Sequence, residues 1–410
     1  MFFTRGTTDR PPLGADFHRL WGAVTASSLG DGMRFVALPL LAARLTTDPR
    51  QIAAVAMSEQ LPLLLLGLLA GALADRLDRR RILWLVDTVR ALIVGLLAAA
   101  VAADAVTIPL LLLAGFLLGC GQTLYNGGWS GMVPGMVAPA ALTRANARLQ
   151  ASALVTDTLI GTPLGAVLFG LAAALPFAVD SASFAVAAVL ALLLRGDFRA
   201  RRQEQPGRAG SLRAETADGL RWLWRHPVLR RLCLTSGLAN LVGGGLTAIL
   251  VVYAHQALGL GELGFSLLVA AFALGGVSGA LVTPRLAARY STPALLRTTL
   301  LVTALVAAAT GAVNSGAAAA ACVALYGAAS VAWGVTAVSL RQRLVPTELT
   351  GRVSTAYQMV IGAGMALGSV LAGFTAEACG VRVPFLAGAV LLGCAALVRV
   401  RVPVTATVSA

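Results

Sequence analysis

The chain has 410 residues, 58% of them hydrophobic and only 12% charged, with a mean hydropathy of +0.81. So apolar a chain needs lipid as its solvent, which excludes a soluble globular protein. The net charge of +14 does not build a nucleic-acid surface, because the basic residues fall in short gaps between apolar runs.

A bilayer core about 30 Å thick requires about 20 apolar helical residues per crossing, and twelve such runs are predicted. After a polar, Pro-containing start, the first run lacks a cleavage-like end and is expected to stay as a membrane helix. The first six runs are Leu20 to Ala43, Ile52 to Ala74, Ile82 to Ala103, Ile108 to Trp129, Leu149 to Ala173 and Leu175 to Leu194. A polar stretch follows. The second six are Leu232 to Ala254, Phe265 to Val282, Thr298 to Val313, Ala317 to Leu340, Val353 to Ala376 and Val383 to Val398. The predicted fold is therefore all-α and polytopic. Its expected parts are a six-helix bundle over 1–194, a linker over 195–231 and a second bundle over 232–410.

Positive charge alternates from gap to gap. Of the 32 arginines, 27 lie in one alternate set of gaps and termini; only Arg44, Arg50 and Arg382 lie in the other, while Arg34 and Arg90 fall within helices. By the positive-inside rule, both termini and the central linker are expected in the cytoplasm. All basic residues are Arg and none is Lys, a bias expected of a GC-rich bacterial genome, and the bacterial inner membrane is the expected location. The linker begins Arg-, Gln-, Pro- and Gly-rich. From Glu215 to His226 it places Leu220, Leu223 and Trp224 on one side, as an amphipathic helix on the inner membrane surface would; a plain solvated connector is the alternative.

The two halves repeat one another. Gly71-Ala72-Leu73 recurs as Gly279-Ala280-Leu281, and Pro139-x-x-Leu142-Thr143 as Pro346-x-x-Leu349-Thr350. Leu164-Gly165-x-Val167-Leu168-x-Gly170 recurs as Leu367-Gly368-x-Val370-Leu371-x-Gly373. Matches in order at offsets of 203 to 208 indicate a duplicated six-helix unit, with a site expected between the halves near mid-membrane.

The loop after the second run reads Gly71-Ala-Leu-Ala-Asp75-Arg76-Leu-Asp78-Arg79-Arg80-Arg81, which resembles the signature loop of the major facilitator superfamily, G-x-L-a-D-r-x-G-r-r. The resemblance implies a cytoplasmic latch formed by Gly71, Asp75, Arg76 and Arg79, with Asp78 standing where the signature has its second Gly. Ser28-Leu29-Gly30-Asp31, Val36-Ala37-Leu38-Pro39 and Arg341-Gln-Arg-Leu-Val-Pro346 make the chain resemble the enterobactin-exporter and macrolide-efflux branch. That implies a secondary exporter of drugs, macrolides, siderophores or other secondary metabolites, working by alternating access. An importer or lipid flippase of the same fold, or a non-transporting sensor or scaffold, are the alternatives. Many proton-coupled exporters of the superfamily carry Arg where Gly115 stands, four residues before Gly119. Gly161-Thr162-Pro163-Leu164-Gly165-Ala166 resembles the antiporter mark with its Pro displaced by one, and a kink is expected at Pro163.

Carboxylates inside the membrane are costly, about 2.5–3.5 kcal/mol each at a helix centre, and so are candidates for function. At about 1.5 Å per residue, Asp31 lies about 18 Å from Arg19 and Asp157 about 14 Å from Arg148, with Glu59 about 10 Å into its helix. Asp31 with Arg34, Glu59 and Asp157 are the expected proton-coupling residues. Asp87 with Arg90, one turn apart, is expected to be a structural pair. Gln122, Tyr125, Asn126, Asn240, Trp333, Tyr357 and Gln358 fall on helices that line the cavity in the superfamily, either as substrate contacts or as interface glue. Trp129 is a further candidate of this kind. Gly275-Gly276-x-x-Gly279 and Gly362-x-Gly364-x-x-x-Gly368 suit close helix packing. No phosphate loop, metal cluster or nucleophile–base constellation stands out, so neither a cofactor nor an enzyme activity is expected. The expected partners are a small-molecule substrate, protons and membrane lipids, with the protein a monomer.

Overall fold

The computed structural model describes residues 13–76, 78–130, 132–138, 141–195, 220–346 and 350–397. Within them, twelve helices of 15 residues or more run alternately from the end where the first of them begins to the far end and back. In the first half these are α1 (Ala15–Leu45), α2 (Pro49–Arg76), α3 (Arg79–Ala102) and α4 (Ile108–Ser130). Then come α5, made of Leu142–Leu154, a π-helical stretch Val155–Gly161 and Thr162–Leu171, and α6 (Leu175–Leu192). The second half begins with α7 (Pro227–Val252, with a π-helical end Tyr253–Ala257), α8 (Glu262–Arg289) and α9 (Thr292–Ala312). It ends with α10 (Gly316–Leu344), α11 (Thr350–Cys379) and α12 (Val383–Leu397). Nine described helices are long and apolar enough to cross a membrane, and α12 is a shorter apolar helix. The helices outrun the apolar runs of the sequence: α7 starts at Pro227 rather than Leu232, and α9 at Thr292 rather than Thr298. A run ends at its first charge, whereas a helix continues until its terminal backbone groups meet water or a cap. Pro49, Pro109, Pro176, Pro227, Pro293 and Pro384 stand in the first two positions of their helices, where a missing N–H costs nothing.

Helix pairing repeats between halves. α1 packs on α5 as α7 does on α11; α2 packs on α4 as α8 on α10; α3 packs on α6 as α9 on α12. The halves meet through α2 against α11 and α5 against α8, themselves a symmetric pair. The repeated glycines hold equivalent places. A Cβ on Gly165 would lie 2.5 Å from the Met33 backbone, and one on Gly368 would lie 1.8 Å from Leu241 O. Side chains such as Leu92 and Leu96 of α3 and Leu305 of α9 are exposed, an apolar exterior suited to lipid. Just ahead of Pro163, where a kink is expected, α5 carries a π-helical stretch, Val155–Gly161, directly followed by Thr162 and Pro163.

The halves are tied together at the far end. Arg44 of α1 donates from Nε to Glu262 Oε1 of α8 at 2.8 Å, and Arg50 of α2 lies 3.7 Å from Glu377 of α11. A Cβ on Gly373 of α11 would meet Ala53 Cβ at 2.7 Å.

Of the amphipathic helix expected in the linker, residues 215–219 lie outside the described residues. Residues 220–225 are helical, with Leu223 buried and Leu220 and Trp224 about two-fifths exposed. Asp78 begins α3: its side chain accepts from the Arg80 N–H at 3.0 Å, with φ of −65°. The turn thus needs no glycine, and the departure from the signature gives α3 a cap. The side chains of Gly71, Asp75, Arg76 and Trp129 lie outside the described residues; Arg79 is the first residue of α3.

Candidate functional site: a cavity backed by a buried charge network

Two arginines organise the interior of the first half. Arg34, one turn beyond Asp31 on α1, is 6% exposed. Its Nη2 donates to Asp31 Oδ1 at 2.6 Å, its Nη1 donates to Glu59 of α2, and its Nε lies 3.2 Å from Asp180 Oδ2 of α6. Arg90 of α3 is fully buried and donates from Nη2 to Asp31 Oδ1 at 2.6 Å and to Gln122 Oε1 of α4 at 2.7 Å. Gln122 passes the chain on by donating to Asn126 at 3.1 Å. The Arg90 guanidinium also lies 4.0 Å over the Phe184 ring, a cation–π contact from α6. Asp31 is therefore the hub through which both arginines are joined.

The pair read along α3 is the weaker of the contacts Arg90 makes. Asp87 Oδ1 lies 3.9 Å from Arg90 Nη1, farther than Asp31 on α1. One turn along one helix is visible in sequence, whereas a tighter partner on another helix is not. Glu59, which has no arginine within a turn of its own helix, is likewise engaged by Arg34 from across the bundle.

Asp180, passed over in the sequence, is fully buried in this network. Gly30 makes room for it: a Cβ there would lie 2.1 Å from Asp180 Oδ1 and 2.2 Å from Ser183 Oγ. The same rule that selected Asp31, a carboxylate within an apolar run, applies to it.

The position of the missing α4 arginine is explained by packing. A Cβ on Gly115 would lie 2.2 Å from Ser58 Oγ and 3.4 Å from Glu59 Cγ. A side chain at 115 would thus press on α2 at Ser58, and the cation that reaches Glu59 is Arg34 of α1.

In front of the network, between the halves, lies a cavity of about 270 Å³. Its first-half wall includes Glu59, Gln60, Asp157, Thr158 and Thr162; its second-half wall includes Thr247, Thr310, Tyr326 and Ser369. Phe35, Phe265, Phe272 and Phe385 supply much of the remaining surface. Of the coupling candidates, Glu59 and Asp157 reach the cavity, while Asp31 and Arg34 stand behind it. The seven polar and aromatic candidates read from the sequence do not line it. Gln122 and Asn126 belong to the Arg90 chain, and Tyr125 and Trp333 are buried. Asn240 donates to Ser236 O on its own helix, Tyr357 hydrogen-bonds to Ser236 Oγ, and Gln358 is exposed. Tyr326, on α10, is the aromatic hydroxyl the sequence reading missed. Among the described residues, no three of His, Cys, Asp and Glu come together as a metal site.

Comparison with known proteins agrees with this geometry. The model of the transmembrane secretion effector family matches residues 8–410. The chain is 28% identical over 384 residues to the multidrug efflux pump Tap of Mycolicibacterium fortuitum, covering 90% of each chain. It is 27% identical to the uncharacterized MFS-type transporter YfiS of Bacillus subtilis, over 91% of this chain and 89% of that one. Among solved structures, the nucleoside transporter NupG superposes with a TM-score of 0.74 at 14% identity, over 94% of this chain and 98% of that chain. Family and relatives are transporters rather than enzymes. The twelve helices in two symmetric bundles, the cavity between them and a family match over nearly the whole length agree: the chain belongs to the transmembrane secretion effector family of major facilitator transporters.

Proposed function

We propose that this chain is a proton-driven exporter of small amphiphilic molecules. Its moving bodies are the bundles 1–194 and 232–410, rocking about the cavity and joined by the linker 195–231. The observation that carries the reading is the connection of the cavity wall to buried charge. Glu59 lines the cavity and is linked through Arg34 to Asp31 and Asp180, which lie behind it. In this network four carboxylates, Asp31, Glu59, Asp87 and Asp180, stand against two guanidiniums, with Asp157 beside them on the cavity wall. That surplus leaves sites for protons beside the substrate cavity.

The Arg asymmetry supports a cytoplasmic position for the termini and linker. The end closed by Arg44–Glu262 is then the outer one, and the protein works as a monomer in the bacterial inner membrane. Export as the direction is supported by the resemblance to the efflux pump Tap. The latch of Gly71, Asp75, Arg76 and Arg79 would secure the inner end in the opposite state, so Asp75→Asn slows transport without impairing insertion. Reporter fusions at both termini and in the linker test the orientation; a periplasmic signal at any of them ends it. Coupling is tested in proteoliposomes under an imposed pH gradient, with a panel holding a cation (ethidium), a macrolide (erythromycin) and a catecholate. Asp31→Asn and Glu59→Gln abolish gradient-driven uptake of whichever compound the wild type moves; if both variants stay fully responsive, the coupling scheme is wrong.

A further inference from the structure

We propose that Asp157 is the residue that recognises substrate, and that the class it selects is a lipophilic monocation: an ammonium, phosphonium or similar centre on an apolar, ring-bearing body. The assignment rests on the exporter reading only in taking the cavity as the transport site.

The charged lining of the cavity consists of Glu59 and Asp157, with no Arg or His among the lining residues. These two carboxylates differ. Glu59 receives a hydrogen bond from Arg34, so its charge is met within the protein. Asp157 has neither a hydrogen bond nor an ion pair to its carboxylate among the described residues. From α1 it is faced by Asp31 and Arg34, but that single guanidinium already serves Asp31, Glu59 and Asp180. From α8 the cavity receives Phe265, Val269 and Phe272, none of them ionisable. The charge of this carboxylate is therefore free to meet a positive partner from the cavity.

Its backbone is fixed while its side chain is free. Asp157 sits in the π-helical stretch of α5, a geometry that recurs at functional sites. Its carbonyl accepts from Thr162 Oγ1 at 3.1 Å and lies so close to Gly32 that a Cβ there would be 2.0 Å away. The opposite walls are aromatic, with Phe272 and Tyr326 6.3 Å apart as a tilted pair. Aromatic faces favour a soft cation through their quadrupoles. An anion would meet two carboxylates in a low-dielectric site, and a neutral polar solute would lose hydrogen bonds to the phenyl walls. A cation with an apolar body satisfies both kinds of wall.

Isothermal titration of full-length protein in detergent tests this with tetraphenylphosphonium and tetraphenylborate, ions of the same shape and opposite charge, in separate runs. The expected result is that the wild type binds the phosphonium and not the borate. Asp157→Asn weakens phosphonium binding about 10- to 100-fold, the range of a lost charge-assisted contact. Asp157→Glu keeps it within about threefold of the wild type. Equal binding of the phosphonium by Asp157→Asn and wild type overturns the assignment, as does wild-type preference for the borate or failure to bind the phosphonium. If Asp157→Asn does not fold, the wild-type charge preference alone decides, with equal binding of both ions overturning it. Binding in detergent needs no gradient, so the two readings fail separately. Phosphonium bound through Asp157 without gradient-driven transport of any compound refutes the exporter and not the assignment. Gradient-driven transport that Asp157→Asn leaves intact refutes the assignment and not the exporter.

Discussion

Neutralising the ion pair at the far end is expected to open it. Arg44 and Glu262 have side chains 46% and 27% exposed, so the pair is a surface one, contributing about 0.5–1 kcal/mol. The Arg44 guanidinium also lies 4.4 Å over the Phe169 ring of α5, within its own half, a contact that rocking of the halves leaves in place. Glu262→Gln removes the pair and shifts the closed-to-open ratio about 2- to 5-fold, and Arg44→Ala, which removes the same pair, shifts it to a similar extent. Spin labels at Asp104, in the turn after α3, and Ser315, just before α10, report the separation of the halves at that end in nanodiscs. The open population should grow in Glu262→Gln and in Arg44→Ala alike. The charge swap Arg44→Glu with Glu262→Arg should recover most of the loss. An unchanged distance distribution in Arg44→Ala, or a swap no better than the single reversals combined, refutes the role given to this contact.

Three further expectations concern packing and caps. Gly165→Ala should lower the melting temperature of the purified protein, because its Cβ would press on the Met33 backbone at a cost of about 1–3 kcal/mol, whereas Gly170→Ala, with nothing within 4 Å, should not. Gly115→Arg should destabilise by a similar amount and give no added proton response, since Ser58 occupies the space; enhanced gradient-driven transport would show that Arg34 does not take its place. Asp48 accepts from the Arg50 N–H at 2.8 Å and from its guanidinium, bonds that hold the carboxyl below the usual carboxylate range. Its contribution is complete above the unfolded value near pH 4 and is lost as pH falls through the lower folded value. Asp48→Ala should therefore cost about 0.5–2 kcal/mol at pH 7, with the gap to wild type closing below about pH 4 in thermal melts.

The helices, their number and their duplication were legible because lipid forces every crossing into a long apolar run and arginine marks alternate ends. Depth along a helix was legible too: Asp31, Glu59 and Asp157 all belong to the network or the cavity. Rotation about the helix was not. These helices are apolar nearly all round, so nothing in the sequence of α7 or α10 separates a cavity face from a packing face. Trp333 and Tyr357 accordingly turned inward to packing, while Tyr326 and Thr247 reached the cavity. Asp180 meets the rule of a carboxylate within an apolar run, yet by helical rise it lies only about 8 Å into its helix. It is buried because α1 and α3 cover it from two sides, a fact of tertiary packing alone.

The π-helical stretch of α5 bears on the ancestry of the two halves. Met33 and Leu241 occupy equivalent contacts 208 positions apart, but the glycines that touch them, Gly165 and Gly368, are only 203 apart. From the matched Leu142 to Gly161 there are 19 residues, and from Leu349 to Gly364 there are 15, so the first copy is four longer just where the wide turns occur. Halves made by duplication begin equal in length, and a surplus threaded into a membrane helix must be absorbed by rewinding, because lipid tolerates no loop there. Asp157 lies inside that surplus stretch. The acid on one wall of the cavity, facing threonine, serine and tyrosine on the other, thus stands in a stretch that is longer in the first copy than in the second.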